Sequence, residues 1–202
     1  RPYHPAYAPF KWRGWWDFGT GALGDIACHS MDTSFWALDL GYPTRIEPES
    51  TKLFSETAPA CSRITYSFAA KENRPEIKVV WRDGSLYPPR PKDVTDPLAW
   101  PFDTSGQMWI GDAGKLVAGI YGENPRLLDE ARQAEIAAHP PAQKYPRTEG
   151  VYAEWIAACK GGPPASSNFT GHAGPLTEMV LLGNLAVRGA QTLEVDPRTG
   201  DV

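Results

Sequence analysis

After one strongly periodic segment near its start, the chain does not return to a helical pattern until Gly150, and strand-like runs fill the interval. That order excludes the strand–helix alternation a parallel doubly wound sheet requires. The early segment is a helix over 22–40: Leu23, Ile26, Ala27, Ser30, Met31, Ser34, Phe35 and Leu38 recur at three and four residues, then Gly41 and Pro43 stop it. Thr44 to Leu53, Cys61 to Phe68 and Glu76 to Asp83 alternate and carry β-branched and aromatic residues, which predicts three antiparallel strands. A hairpin follows, with Met108 to Ile110 and Lys115 to Tyr121 around a Gly-rich turn, and Leu127-Leu128 adds a short strand. Helices over Gly150 to Lys160 and Pro175 to Arg188, then a strand over Gln191 to Val195, complete the order.

The expected fold is α+β: a largely antiparallel open sheet with helices packed on one face, in a single domain spanning 1–202. Within it, 1–21 form a lead-in and Gly-rich turn, 22–40 the site helix, 44–128 the sheet, and 150–195 the helices and final strand. Arg1 to Pro9 read as extended, Leu86 to Thr104 as a long ordered loop, and Asp129 to Pro146 as poorly ordered. With 20 prolines and 19 glycines in 202 residues the loops are long, but 8 tryptophans and 42% hydrophobic residues support a core. The opening at Arg1, without Met, suggests a fragment or processed piece.

A net charge of −4 argues against nucleic-acid binding, and no apolar run approaches a membrane span. Three widely spaced cysteines, Cys28, Cys61 and Cys159, support neither a disulfide framework nor a metal site, and read as small buried hydrophobes.

Two patterns carry chemistry. Gly19-Thr20-Gly21-Ala22-Leu23-Gly24 matches the dinucleotide fingerprint in letters, but Trp12 to Phe18 before it are no buried parallel strand. Asp25 and His29 stand four apart on the site helix, with Asp32 and Trp36 continuing the stripe. A carboxylate one turn before a histidine can fix its tautomer and raise its basicity, as a general base needs; the same spacing also suits an ordinary helix pair. Arg13, Trp15, Trp16 and Asp17 could line a sugar site or, for the tryptophans, fill space under the loops. His139 and His172 read as exposed. Asn168-Phe169-Thr170 is a glycosylation sequon by pattern only.

The run from Arg1-Pro2-Tyr3-His4-Pro5 through Trp12-Arg13-Gly14-Trp15-Trp16-Asp17-Phe18 and on to Asp25, His29 and Asp32 resembles the start of the C-terminal domain of Gfo/Idh/MocA oxidoreductases, in a Trp-rich bacterial branch. The likeness continues at Trp155 to Gly162, Ser167-Asn168-Phe169 and Gly174 to Glu178. It implies a two-domain dehydrogenase whose Rossmann half precedes these residues. NAD or NADP would bind mainly there, with no metal, and this chain alone would not turn over.

The resemblance also implies roles. His29 would take the proton from a sugar or cyclitol hydroxyl, with Asp25 orienting it, and Arg13, Trp16, Asp17 and Asp32 would bind substrate. The family's Glu-Lys-Pro lysine has no counterpart here. The sheet would form a homo-oligomer, in the cytoplasm or periplasm of a bacterium. Alternatives are an NAD-assisted glycoside hydrolase or lyase of the same family, and a non-catalytic carbohydrate-binding or assembly module.

Overall fold

A computed structural model describes residues 1–72, 74–92, 94, 105–145 and 147–202. Its elements run α1 (Gly21–Ser30), α2 (Asp32–Ala37), β1 (Arg45–Ser50), β2 (Ser62–Phe68), β3 (Ile77–Arg82), β4 (Gln107–Gly111), β5 (Gly114–Ala118), β6 (Arg126–Leu127), α3 (Glu130–Ala138), α4 (Val151–Cys159), α5 (Gly174–Gly189) and β7 (Leu193–Glu194). The fold is α+β with antiparallel sheets, as the element order requires.

The strands make two sheets instead of one. The larger has the order β3-β2-β1-β7, and β4-β5-β6 form a separate meander. In the larger sheet Ile46 pairs with Tyr66 and Leu193, and Tyr66 with Val79. Side chains alternate faces along a strand, so Ile46, Ile64, Tyr66, Phe68 and Trp81 share one face. That face meets Leu23 and Ala27 of α1, Met31 between α1 and α2, and Leu176, Met179, Val180 and Val187 of α5 in one buried cluster. The opposite face carries cross-strand ion pairs, Arg63 with Glu49 and Arg45 with Glu194.

The packing of α5 on the sheet depends on one glycine. A Cβ at Gly183 would lie 1.9 Å from the Tyr66 hydroxyl, which donates to the Val180 carbonyl at 3.1 Å. Burial pushes the Tyr66 phenol up.

The site helix is divided at Met31, although Met31 N–H bonds to Ala27 and Phe35 N–H to Met31. It ends at Ala37, earlier than expected, because Asp39 adopts a left-handed conformation (φ 47°) before Gly41. The lead-in is turned instead of extended: Tyr7 N–H bonds to His4 O, and the Tyr7 ring meets Trp15 and Phe18 edge-on. Asp129 to Pro146 hold α3, where none was expected. The Asp129 carboxylate caps the Arg132 N–H at 3.0 Å and Gln133 accepts from Leu127 N–H, so polar contacts build a helix that buries nothing. Of the loop expected over Leu86 to Thr104, residues 93 and 95–104 lie outside the described residues. The cysteines are free, and none is a fully buried hydrophobe: Cys28 and Cys61 are half-buried, while Cys159 is exposed on α4, which buries no side chain. Among the described residues no helix is long and apolar enough to cross a membrane.

Candidate active site

Helix α1 and the turn into α2 present Asp25, His29 and Asp32 at spacings of four and three, which place them along one helical face. Each has a different partner. The Asp25 carboxylate accepts from Arg13 at 2.7 Å, with both side chains about two-thirds covered. Arg13 arrives from the helical turn Lys11–Gly14, and its guanidinium lies 3.6 Å from the centre of the Phe10 ring. Two of the expected site residues are thus joined directly.

Asp25 and His29 are not. Among the described residues no hydrogen bond connects them; the Asp25 contact that occurs is to Arg13, through Oδ2. His29 is exposed, and its ring meets Tyr121 edge-on at 5.2 Å. Tyr121 stands on the turn after β5, where its N–H bonds to the Glu123 carboxylate at 2.8 Å. The strand expected to run to Tyr121 ends at Ala118, so the ring projects from a turn.

Asp32 has a histidine partner that the sequence reading placed in solvent. His172 Nε2 and Asp32 Oδ1 are 2.6 Å apart, and His172 is buried. The π-helical turn Phe169–Ala173 carries it, pinned by Asn168, whose side chain accepts from Gly171 N–H and donates to Ala165 O. The ring packs against Phe35 at 5.6 Å and Trp36 at 5.7 Å, and Trp36 also meets Tyr145. That aromatic lining explains why the ring leaves solvent. A carboxylate only accepts, so the contact places the imidazole proton on Nε2. His139, by contrast, is exposed as expected.

The other two expected residues lie elsewhere. Asp17 is exposed and pairs with Arg1. Trp16 lies under the Arg188 guanidinium at 5.0 Å and lines a cavity of about 620 Å³ with Thr20, Asn184 and Gln191. That cavity lies at the N-terminal end of α1, and neither Asp25 nor His29 lines it.

The Gly-rich turn does not fit a dinucleotide. Among the described residues no strand leads into it, and the Cβ side of its glycines faces its own chain: a Cβ at Gly19 would lie 2.5 Å from the Arg13 backbone, and one at Gly24 2.0 Å from the Thr20 hydroxyl. The glycines thus serve close packing of the chain on itself. Among the described residues no group of three or more His, Cys, Asp or Glu could hold a metal ion.

His172 and Tyr121 are the site residues that sequence reasoning missed. A contact between positions 32 and 172 leaves no local spacing signal. Tyr121 was visible only as an aromatic residue between Gly119 and Gly122, a turn signal merged into a strand. Compared with models of known families the chain matches none, and no curated protein matches it.

Proposed function

We propose that this chain is the substrate and oligomerisation domain of an NAD(P)-dependent oxidoreductase acting on a sugar or cyclitol hydroxyl, with a fold of the Gfo/Idh/MocA C-terminal type. The observation that carries the reading is the stripe on α1 and α2. An exposed His29 stands between two carboxylates, one held by Arg13 from the turn before α1 and the other by His172 from the turn before α5. Such a face offers a proton acceptor flanked by hydrogen-bond acceptors for a polyhydroxyl ring, and the Tyr121 ring at its border suits the apolar face of a sugar.

This chain's part is proton transfer. His29 takes the hydroxyl proton, while Asp25, held by Arg13, and Asp32 fix the ring that bears it. The nicotinamide that accepts the hydride would be held by a nucleotide-binding domain outside these residues, since no strand leads from the described residues into the glycine-rich turn as a dinucleotide site requires. The charged outer face of the large sheet would form the homo-oligomer.

The test is His29→Ala in the full gene product, assayed with NAD and NADP against D-glucose, D-galactose and myo-inositol. Loss of a general base lowers kcat by about 10²–10⁴-fold with folding unchanged by circular dichroism. Unchanged turnover overturns the assignment.

A further inference from the structure

Resting on that reading, we propose that the site selects a vicinal diol: His29 takes the proton from one hydroxyl, Asp32 binds its neighbour, and His172 is the positioning residue that aims Asp32. Three observations converge. Asp32 is three residues beyond His29 with helical hydrogen bonds continuing through Met31, so the two Cβ atoms are about 5–6 Å apart. With each side chain about 2.7–3.0 Å from its oxygen, that spacing matches two adjacent hydroxyls on one ring better than two separated ones.

The Asp32 carboxylate is also half used. Oδ1 takes the His172 contact, the side chain is 43% exposed, and no other hydrogen bond to it occurs among the described residues. One oxygen is fixed from behind and the other is left to accept from outside. Finally, His172 is built to hold a direction. Its side chain is 11% exposed, wedged between Phe35 and Trp36, and it comes from a turn whose own shape Asn168 fixes. A surface ion pair formed only for stability would need none of that covering.

The reaction itself is unchanged by this assignment; Asp32 accepts a hydrogen bond from the second hydroxyl and no bond to it is made or broken. Asp25 differs in that Arg13 pairs with it, so the second hydroxyl is assigned to Asp32.

The experiment measures kcat/KM in the full gene product for the best of D-glucose, D-galactose and myo-inositol and for its monodeoxy analogues, in wild type, Asp32→Asn, His172→Leu and His172→Gln. Wild type prefers the parent over the analogue lacking the adjacent hydroxyl by about 10- to 100-fold, the range of a hydrogen bond to a charged group. Asp32→Asn and His172→Leu collapse that preference by lowering the parent's kcat/KM far more than the analogue's. His172→Gln, which retains an N–H donor, restores most of it. Turnover of the analogue reports folding within the same assay, and if His172→Leu does not fold, Asp32→Asn decides the matter alone. An Asp32→Asn enzyme that keeps the wild-type preference, or that loses both substrates equally, overturns the diol assignment while His29→Ala remains dead. If His29→Ala stays active, the fault lies in the underlying reading instead.

Discussion

Helices α4 and α5 are both rich in apolar residues, and they end up in opposite environments. Helix α5 buries Leu176, Met179, Val180, Gly183, Ala186 and Val187 against the sheet and α1, whereas α4 buries nothing and leaves Tyr152, Trp155 and Ile156 exposed. Apolar content does not distinguish them. What differs is complementarity: α5 has a glycine where Tyr66 crosses it and a partner surface of matching shape, and α4 is held mainly at a polar point, where Glu154 accepts from the Ser166 N–H and hydroxyl. Burial requires a facing surface as well as hydrophobicity.

Substitutions sharpen the contrast. The largest effect is expected for Met179→Ala, which empties a site that is 1% exposed and costs about 2–5 kcal/mol in urea unfolding. Gly183→Ala comes next. Alanine favours a helix by about 1 kcal/mol, but its methyl would overlap a buried ring, and a net loss of about 1–3 kcal/mol is expected from overpacking; a neutral result would mean that α5 and β2 are less closely set than described. Trp155→Ser on α4 should stay within about 0.5 kcal/mol, and a loss above 1 kcal/mol would break the comparison by showing that α4 has a covered face.

The smallest effect concerns the polar edge of α5. Tyr42 donates to Glu178, and that bond raises the phenol above its ordinary value. A raised folded-state value means that the contribution is complete below pH ~10 and fades as pH climbs through the raised value. The slight stability advantage over Tyr42→Phe should therefore vanish in strong alkali, and an advantage that grows with pH would reverse the sign assigned to the pair.

What the sequence made legible follows from locality. The periodic face from Leu23 to Phe35, the alternation in Cys61 to Phe68 and the turn at Gly111 to Gly114 are local signals; the last two became the strand and hairpin expected, and the first became helix, though divided at Met31 into α1 and α2. Helix α3 escaped because Asp129 and Gln133 stabilise it with hydrogen bonds that leave no apolar period. The division into two sheets escaped because strand patterns do not state their partners. In the site, the shared face of Asp25, His29 and Asp32 was legible from spacing. The partners Arg13 and His172 were not, since Arg13 was seen only as a sugar contact and His172 as a solvated residue; which charge meets which is settled by packing between distant segments.

The pairing of β1 with β7 gives the fold a direction in time. Ile46 cannot find Leu193 until everything between them, α5 included, has left the ribosome, and closing so long a loop costs entropy before any contact repays it. Through synthesis the β1 edge stands open with unpaired backbone groups, a template for the same strand of another nascent copy. Premature termination before Leu193 would thus leave the whole of that edge open, and β7, only two residues long, covers its Arg45–Ile46 end.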